Sequence, residues 1–310
     1  MTGGELATRA PARSRGRRLA GLAAGLLILG FLVYGMVRGW SRVRDFDWEL
    51  HPGLLAASAA ALLAFSATSG LAYRAIVDRL HPGTSSLGTL AVWARSLMGR
   101  YVPGNVLMVL GRVVLAYERG VPRRITLAAT VYEQALALGV AAIAGVIFVV
   151  AYSDLGRGAR LWFLLLIPAA LVLLLPRVFG PLTAWLLRRA GRDPLPRLLS
   201  VRQLAVLLAW YVAAAALLGL GVWLALRGAT DGELGGPLFV GTAFLLAFAV
   251  SMAAFIFPSG LGVREAVFAA ALAVNVPGSV AVALAVGSRL FITLVELVFI
   301  GVMVAAERRS

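Results

Sequence analysis

The chain has 310 residues, 61% of them hydrophobic and only 14% charged, with a mean hydropathy of +0.90. That balance leaves too little polar surface to cover a soluble domain, which excludes a soluble catalytic unit and predicts an all-α, polytopic integral membrane protein. The net charge of +15 comes wholly from arginine, a usage that reads either as genomic base composition or as a choice of guanidinium forks, which bind lipid phosphate oxygens in pairs.

Residues 1–18 form a basic tail, and the apolar run that follows at 19–37 is longer than a secretory signal core and lacks a small-residue cleavage site. It is expected to stay on the protein as a first span. A crossing needs about 20 apolar residues. The runs at 19–37, 54–75, 125–151, 161–179, 204–226 and 280–306 meet that requirement and predict six full spans. Two further apolar stretches, 87–118 and 237–276, are broken by Pro and Gly.

Basic loops stay in the cytoplasm. The tail, the loop with Arg119, Arg123 and Arg124, and the segment with Arg177, Arg188, Arg189, Arg192, Arg197 and Arg202 are therefore expected there, with both termini. The loop at 38–51 sets Asp45, Asp47 and Glu49 against its arginines, and the loop at 227–236 carries Asp231 and Glu233. Both belong outside a cell membrane.

The first broken stretch thus enters and leaves by the cytoplasmic face. As helix its length reaches only about 48 Å, where two crossings need about 60 Å. A re-entrant hairpin turning near Val102, Pro103, Gly104 and Asn105 fits that reach. The second stretch enters and leaves by the opposite face and breaks at 257–262, where either a second hairpin or two full spans would satisfy its length. Span, span, hairpin, span then occurs twice, the second time from the other side, with half-repeats at about 19–151 and 161–306 within one domain at 19–310. Such an inverted repeat, with paired Pro/Gly breaks, is the arrangement in which transporters place their binding site.

Non-helical backbone at membrane depth must be buried in protein or line a wet cavity. The side chains around the two breaks are consequently the candidate substrate site: Arg95, Arg100, Pro103, Gly104, Asn105 and Arg112 in the first, Pro258, Gly260, Gly262, Arg264 and Glu265 in the second. Glu133 joins them from the adjoining span, where it either pairs with a hairpin arginine or carries a proton. An ionised group at the bilayer centre costs about 2.5 to 3.5 kcal/mol on insertion scales, so it is partnered or functional. The excess of arginine over acid suits an anionic ligand. The competing reading has Arg95 and Arg100 reaching the cytoplasmic interface, and Arg264 with Glu265 or Arg289 with Glu296 as internal pairs.

Other chemistries find little support. Cysteine is absent, and His51 and His81 each precede a proline in a polar turn. No Gly-rich loop ends in Lys-Ser/Thr and no Ser-His-Asp set can be assembled. Neither an enzyme nor a cofactor is expected. The stretch at 177–202, with Trp185, Leu186 and Leu187 beside Arg188 and Arg189, reads either as an amphipathic segment on an anionic leaflet or as an ordinary basic loop.

Gly99-Arg100-Tyr101-Val102-Pro103-Gly104-Asn105, then Gly111 and Arg112, Glu133, and Pro258-Ser259-Gly260-Leu261-Gly262-Val263-Arg264-Glu265 together resemble the lysylphosphatidylglycerol synthase transmembrane-region family, a flippase-like domain. The resemblance covers nearly the whole chain after the tail. It implies a lipid-translocating membrane domain, like the one that moves aminoacylated phosphatidylglycerol between leaflets in the multiple peptide resistance factor. Two departures stand out. The soluble aminoacyl-transferase domain is missing, so the chain is not expected to make the modified lipid, and Gln134 follows Glu133 where arginine is expected in many relatives. The expected function is a flippase or scramblase for an anionic phospholipid, glycolipid or polyprenyl-phosphate lipid. The alternative is a non-transporting membrane subunit that recruits or stabilises a lipid- or glycan-modifying enzyme. Partners are membrane lipids, and nucleic acid is not among them.

Overall fold

The computed structural model describes residues 41, 44–46, 48–83, 86–101, 106–152, 176–189, 199–253 and 262–309. The expected first span at 19–37, most of the expected span at 161–179, and the breaks at 102–105 and 257–261 lie outside the described residues.

Among the described residues the fold is all-helical: α1 Pro52–Leu80, α2 Ser86–Leu97, α3 Val106–Tyr117, α4 Arg123–Tyr152, α5 Pro176–Arg189, α6 Val201–Arg227, α7 Pro237–Ala253, α8 Val263–Leu272 and α9 Gly278–Glu307. A short 3₁₀ turn, Met98–Tyr101, continues α2. Four of these helices, α1, α4, α6 and α9, are long and apolar enough to cross a membrane. Each has 27 to 30 residues, or about 40 to 45 Å of helix against a hydrocarbon layer of about 30 Å. They outrun the apolar stretches at 54–75, 125–151, 204–226 and 280–306 because polar end residues keep the helical ladder going beyond hydrocarbon. In α1, Arg79 donates to the Ala75 carbonyl at 2.7 Å and Arg74 approaches Asp78 at 3.3 Å.

Local signals set the ends. Pro52 opens α1, where its missing N–H would have been unpaired in any case. Ser200 and Gln203 form a reciprocal capping box at the start of α6. Helix α5 runs past residue 179, the expected end of a span, and takes up part of the basic stretch at 177–202, with Arg189 lying 4.6 Å from the Trp185 ring centroid.

The core has two parts. One gathers Tyr73, Trp93, Leu97, Tyr132, Leu207 and Phe299, from the C-terminal ends of α1 and α9, the N-terminal ends of α4 and α6, and the pair α2 and α3. The other gathers Val222, Phe244, Phe268, Leu272 and Leu284, from the opposite ends of the long helices together with α7 and α8. The two short-helix pairs therefore pack at opposite ends of the four-helix frame. At the α7/α8 end, the His51 N–H donates to the Gly228 carbonyl at 2.9 Å and ties the start of α1 to the end of α6.

Apolar residues also cover the outside. On α9, Leu290, Leu294, Leu297, Val298 and Val302 are exposed along one face, while Arg112 and Glu133 are buried. Apolar surface outward and charge inward is the distribution that a lipid solvent selects.

Candidate functional site

Helix α3 turns Leu107, Leu110, Val114 and Tyr117 outward and buries Met108, Arg112 and Ala116 at four-residue spacing. Its charged side chain consequently points into the protein. Helix α2 and the 3₁₀ turn lie against it closely enough that a Cβ on Gly99 would stand 2.5 Å from the Met108 backbone nitrogen. Only glycine permits that approach.

The approach brings Ser96 and Trp93 of α2 to Arg112. The Arg112 Nε donates to Ser96 Oγ at 2.9 Å, and Ser96 Oγ donates to the Trp93 carbonyl at 2.7 Å. The Arg112 Nη1 donates to Glu133 Oε2, and Trp93 Nε1 donates to Glu133 Oε1 at 2.7 Å. The Tyr73 ring lies 4.6 Å from the Arg112 guanidinium carbon. Arg112 has no exposed surface, and both Glu133 oxygens are occupied. A buried ion pair needs such extra hydrogen bonds to offset desolvation. Glu133 therefore has its guanidinium partner, and that partner is Arg112.

Beside this cluster lies a cavity of about 180 Å³, bounded by α1 to α4, the 3₁₀ turn and α6 to α9. Three guanidiniums line it: Arg100 of the 3₁₀ turn, Arg264 of α8 and Arg289 of α9. Each is loosely held. The Arg100 Nη1 is 3.2 and 3.3 Å from the two oxygens of Glu296. The Arg289 Nη1 is 3.6 Å from Glu265 Oε1, beyond a hydrogen bond, while Glu265 Oε2 accepts the Gly262 N–H at 2.9 Å. Arg264 has no carboxylate within ion-pair distance among the described residues, and its Nε is buried without a hydrogen bond. Phe244 and Phe248 support it, their ring centroids 4.1 and 5.7 Å from the guanidinium carbon.

Among the described residues, Arg112, Arg100, Arg264 and Arg289 thus face Glu133, Glu296 and Glu265, which leaves one positive charge in excess at Arg264. Ser66, Ser69, Gln134, Ser251 and Thr293 add polar atoms to the cavity wall. A concave, largely apolar space with a few convergent donors is the ordinary form of a ligand site.

A second pocket, about 520 Å³, opens at the end of the bundle where α1 and α9 finish, lined in part by Tyr73, Val92, Thr126, Arg119 and Glu307. Glu307 is clamped there by Arg119 and by Arg95, the latter at 2.5 Å. The Arg112 cluster stands between the two spaces, with Tyr73 on one and Trp93 and Glu133 on the other.

Of the residues expected at the site, Arg100, Glu133 and Arg264 meet at the central cavity. Arg95 is held apart by Glu307, Arg112 is sealed behind Glu133, and Gly262 and Glu265 sit behind the wall at the start of α8. Pro103, Gly104, Asn105, Pro258 and Gly260 are outside the described residues. The anticipated internal pairs differ: Glu265 takes Arg289 rather than Arg264, and Glu296 takes Arg100 rather than Arg289. Arg289 and Glu296 belong to the cavity although neither was placed there from sequence. Their signal was present, since 289, 292, 293 and 296 share one helical face and all four line the space.

Potential metal ligands converge at one place among the described residues, the loops at the α7/α8 end, where atoms of Glu49, His51 and Asp231 lie within 4.8 Å of one another. His51 Nε2 and Asp231 Oδ1 already meet at 3.0 Å, and Arg227 stands 3.8 Å from the same carboxylate oxygen.

Helices long enough to cross a bilayer, an apolar exterior and a charged interior make this a multi-pass membrane protein. No curated protein matches the chain. Residues 18–300 match the lysylphosphatidylglycerol synthase TM region, so the chain belongs to that family, a membrane domain of lipid-related function.

Proposed function

We propose that the protein is a lipid translocase, a flippase or scramblase, for an anionic phospholipid, glycolipid or polyprenyl-phosphate-linked lipid, and that it translocates its lipid without chemical change. One observation carries this reading: three guanidiniums line a single cavity with long contacts or none, and Arg264 has no counter-ion among the described residues. An anion with several oxygens, as in a phosphodiester, satisfies such donors better than the carboxylates present, since arginine pairs with phosphate bidentately. In this reading the headgroup enters the cavity and the tails stay in the bilayer while it passes.

The proposed architecture has six spans and two re-entrant hairpins of opposite orientation, related as an inverted repeat. In its support, α2 and α3 have 12 residues each and α8 has 10, only about 18 and 15 Å of helix. The 17 residues of α7 extend to about 25 Å, still short of a bilayer of about 30 Å. Arginines at 74, 79, 95, 119, 123, 124, 202, 308 and 309 cluster at the α2/α3 end, and Asp45, Glu49, Asp231 and Glu233 at the other. Under the positive-inside rule the first end is cytoplasmic, with both termini there, and the membrane is the cell membrane.

Fluorescent phosphatidylglycerol in proteoliposomes, scored by loss of dithionite-accessible label, tests the reading. Arg100→Ala, Arg264→Ala and Arg289→Ala should each slow flip. Wild-type rates for all three remove the headgroup site. No flip by the purified protein, with a co-purifying lipid- or glycan-modifying enzyme, supports a recruiting subunit instead.

A further inference from the structure

We infer that Glu296 is a resident surrogate anion, a carboxylate that occupies Arg100 while the cavity is empty and is displaced by the headgroup phosphate on binding. The inference rests on the headgroup reading above and specifies how the site lets go of its cargo.

The two carboxylates that line the cavity are held very differently. Glu133 has both oxygens filled by Trp93 and Arg112. Glu296 reaches one nitrogen of Arg100 at 3.2 and 3.3 Å, and its Oε1 is buried without a hydrogen bond. Good charge-assisted N–H···O bonds are about 2.7 to 2.9 Å, so this contact is a weak one. Arg100 keeps 42% of its side chain exposed, while Glu296 keeps 12%. The cation is accessible to an incoming anion, and the acid sits behind it.

Position makes Glu296 a placeholder rather than a lock. It stands on α9 two turns beyond Arg289, on the same cavity-facing side, and Arg289 is engaged by Glu265. Residues seven apart are about 10.5 Å apart along a helix, further than the three- and four-residue neighbours that touch readily, and Glu296 makes no ion pair with Arg289. Its charge remains in the cavity, close to the bound phosphate. Like charges at such range in a partly dry site repel strongly. Arg264, with no acid partner among the described residues, gives the phosphate its fixed anchor; Arg100 gives an exchangeable one. The exchange holds affinity down. That favours transport, because a carrier that binds its cargo equally well throughout gains occupancy and no rate.

Glu296→Gln keeps the shape and removes the charge. With the full chain in phosphatidylcholine vesicles and labelled phosphatidylglycerol at increasing mole fraction, this variant should half-saturate at a mole fraction about tenfold lower. Its maximal flip rate should fall, because release becomes slow. Glu296→Asp retains the charge and should half-saturate near the wild type. If the glutamine variant does not fold, Glu296→Thr serves, since a hydroxyl in these helices can bond to the preceding turn as Thr130 does to the Thr126 carbonyl at 2.8 Å. A purely structural Glu296 would raise the half-saturating fraction and lower the maximal rate together, which overturns the inference, as does a wild-type half-saturation in the neutral variants. Absence of saturable flip in the wild type overturns the headgroup reading itself, and the surrogate role with it.

Discussion

The Arg112 guanidinium and the Glu133 carboxylate form an ion pair with no solvent on the arginine, held by Trp93, Ser96 and Tyr73. Removing one partner leaves a charge buried alone, at a cost of about 3 to 5 kcal/mol. Arg112→Ala and Glu133→Ala are therefore expected to unfold well below the wild type in detergent, and the neutral double variant Arg112→Met with Glu133→Leu to recover most of the loss. Thermal unfolding followed by size-exclusion chromatography measures this; additive losses in the double variant would refute the pairing energetics.

Arg264 predicts the opposite trade. Its guanidinium has aromatic support from Phe244 and no acid partner among the described residues. Arg264→Met is expected to hold or raise the unfolding temperature while lowering phosphatidylglycerol flip at least about tenfold, a loss of function accompanied by relief of an unpaired charge. A stability loss equal to that of Arg112→Ala would show that Arg264 is a framework residue.

At the end where α9 finishes, Glu307 joins Arg95 of α2 to Arg119 just beyond α3. Partly exposed pairs are each worth about 0.2 to 1 kcal/mol. Glu307→Gln should leave global unfolding nearly unchanged and should speed hydrogen exchange in the last turn of α9 and in the facing ends of α2 and α3. Unaltered exchange there would mean that packing alone holds the ends together.

Gly262, at the start of α8, has a φ of +86°, a conformation that costs a residue with a Cβ about 1 to 2 kcal/mol. Gly262→Ala should lower stability by that order and shift Arg264 two residues on, reducing flip more than stability alone explains. Comparing flip at equal folded fraction measures the difference.

Orientation is open to a direct reading because the chain has no cysteine. Single cysteines at Arg123 or Arg308 should react with an impermeant maleimide only from the cytoplasmic side, and at Glu49 or Asp231 only from outside. Reaction from the reverse sides would invert the proposed topology.

Much of the frame was legible because hydropathy acts locally. The spans at 54–75, 125–151, 204–226 and 280–306 each lie within one long helix, and the family suggested by Pro258 to Glu265 and Gly99 to Asn105 is the one that residues 18–300 match. Pairing was not legible in the same way. Arg112 reaches Glu133 across two helices, brought there by the close crossing of Gly99 and Met108, a tertiary event with no local pattern. Arg289 and Glu296 looked like partners because they share a helix face, yet two turns separate them and only side chains three or four residues apart touch. Each instead reaches a different short-helix pair, Glu265 on one side and Arg100 on the other.

The partition formed by Arg112, Glu133, Trp93 and Tyr73 has a bearing on bioenergetics. Polar spaces on either side of one cluster endanger the electrochemical gradient of a host membrane, because a proton or sodium ion could hop between them. Here the acid has both oxygens bonded and the base is neutralised, although the Arg112 Nη2 is buried without a hydrogen bond, and the Trp93 and Tyr73 rings flank the pair. A small ion would have to break that pair and leave an uncompensated charge, while each elementary charge gains only about 2.3 kcal/mol per 100 mV from the field. The same four side chains that stabilise the fold are therefore expected to act as electrical insulation, which proton leak through Glu133→Ala proteoliposomes measures.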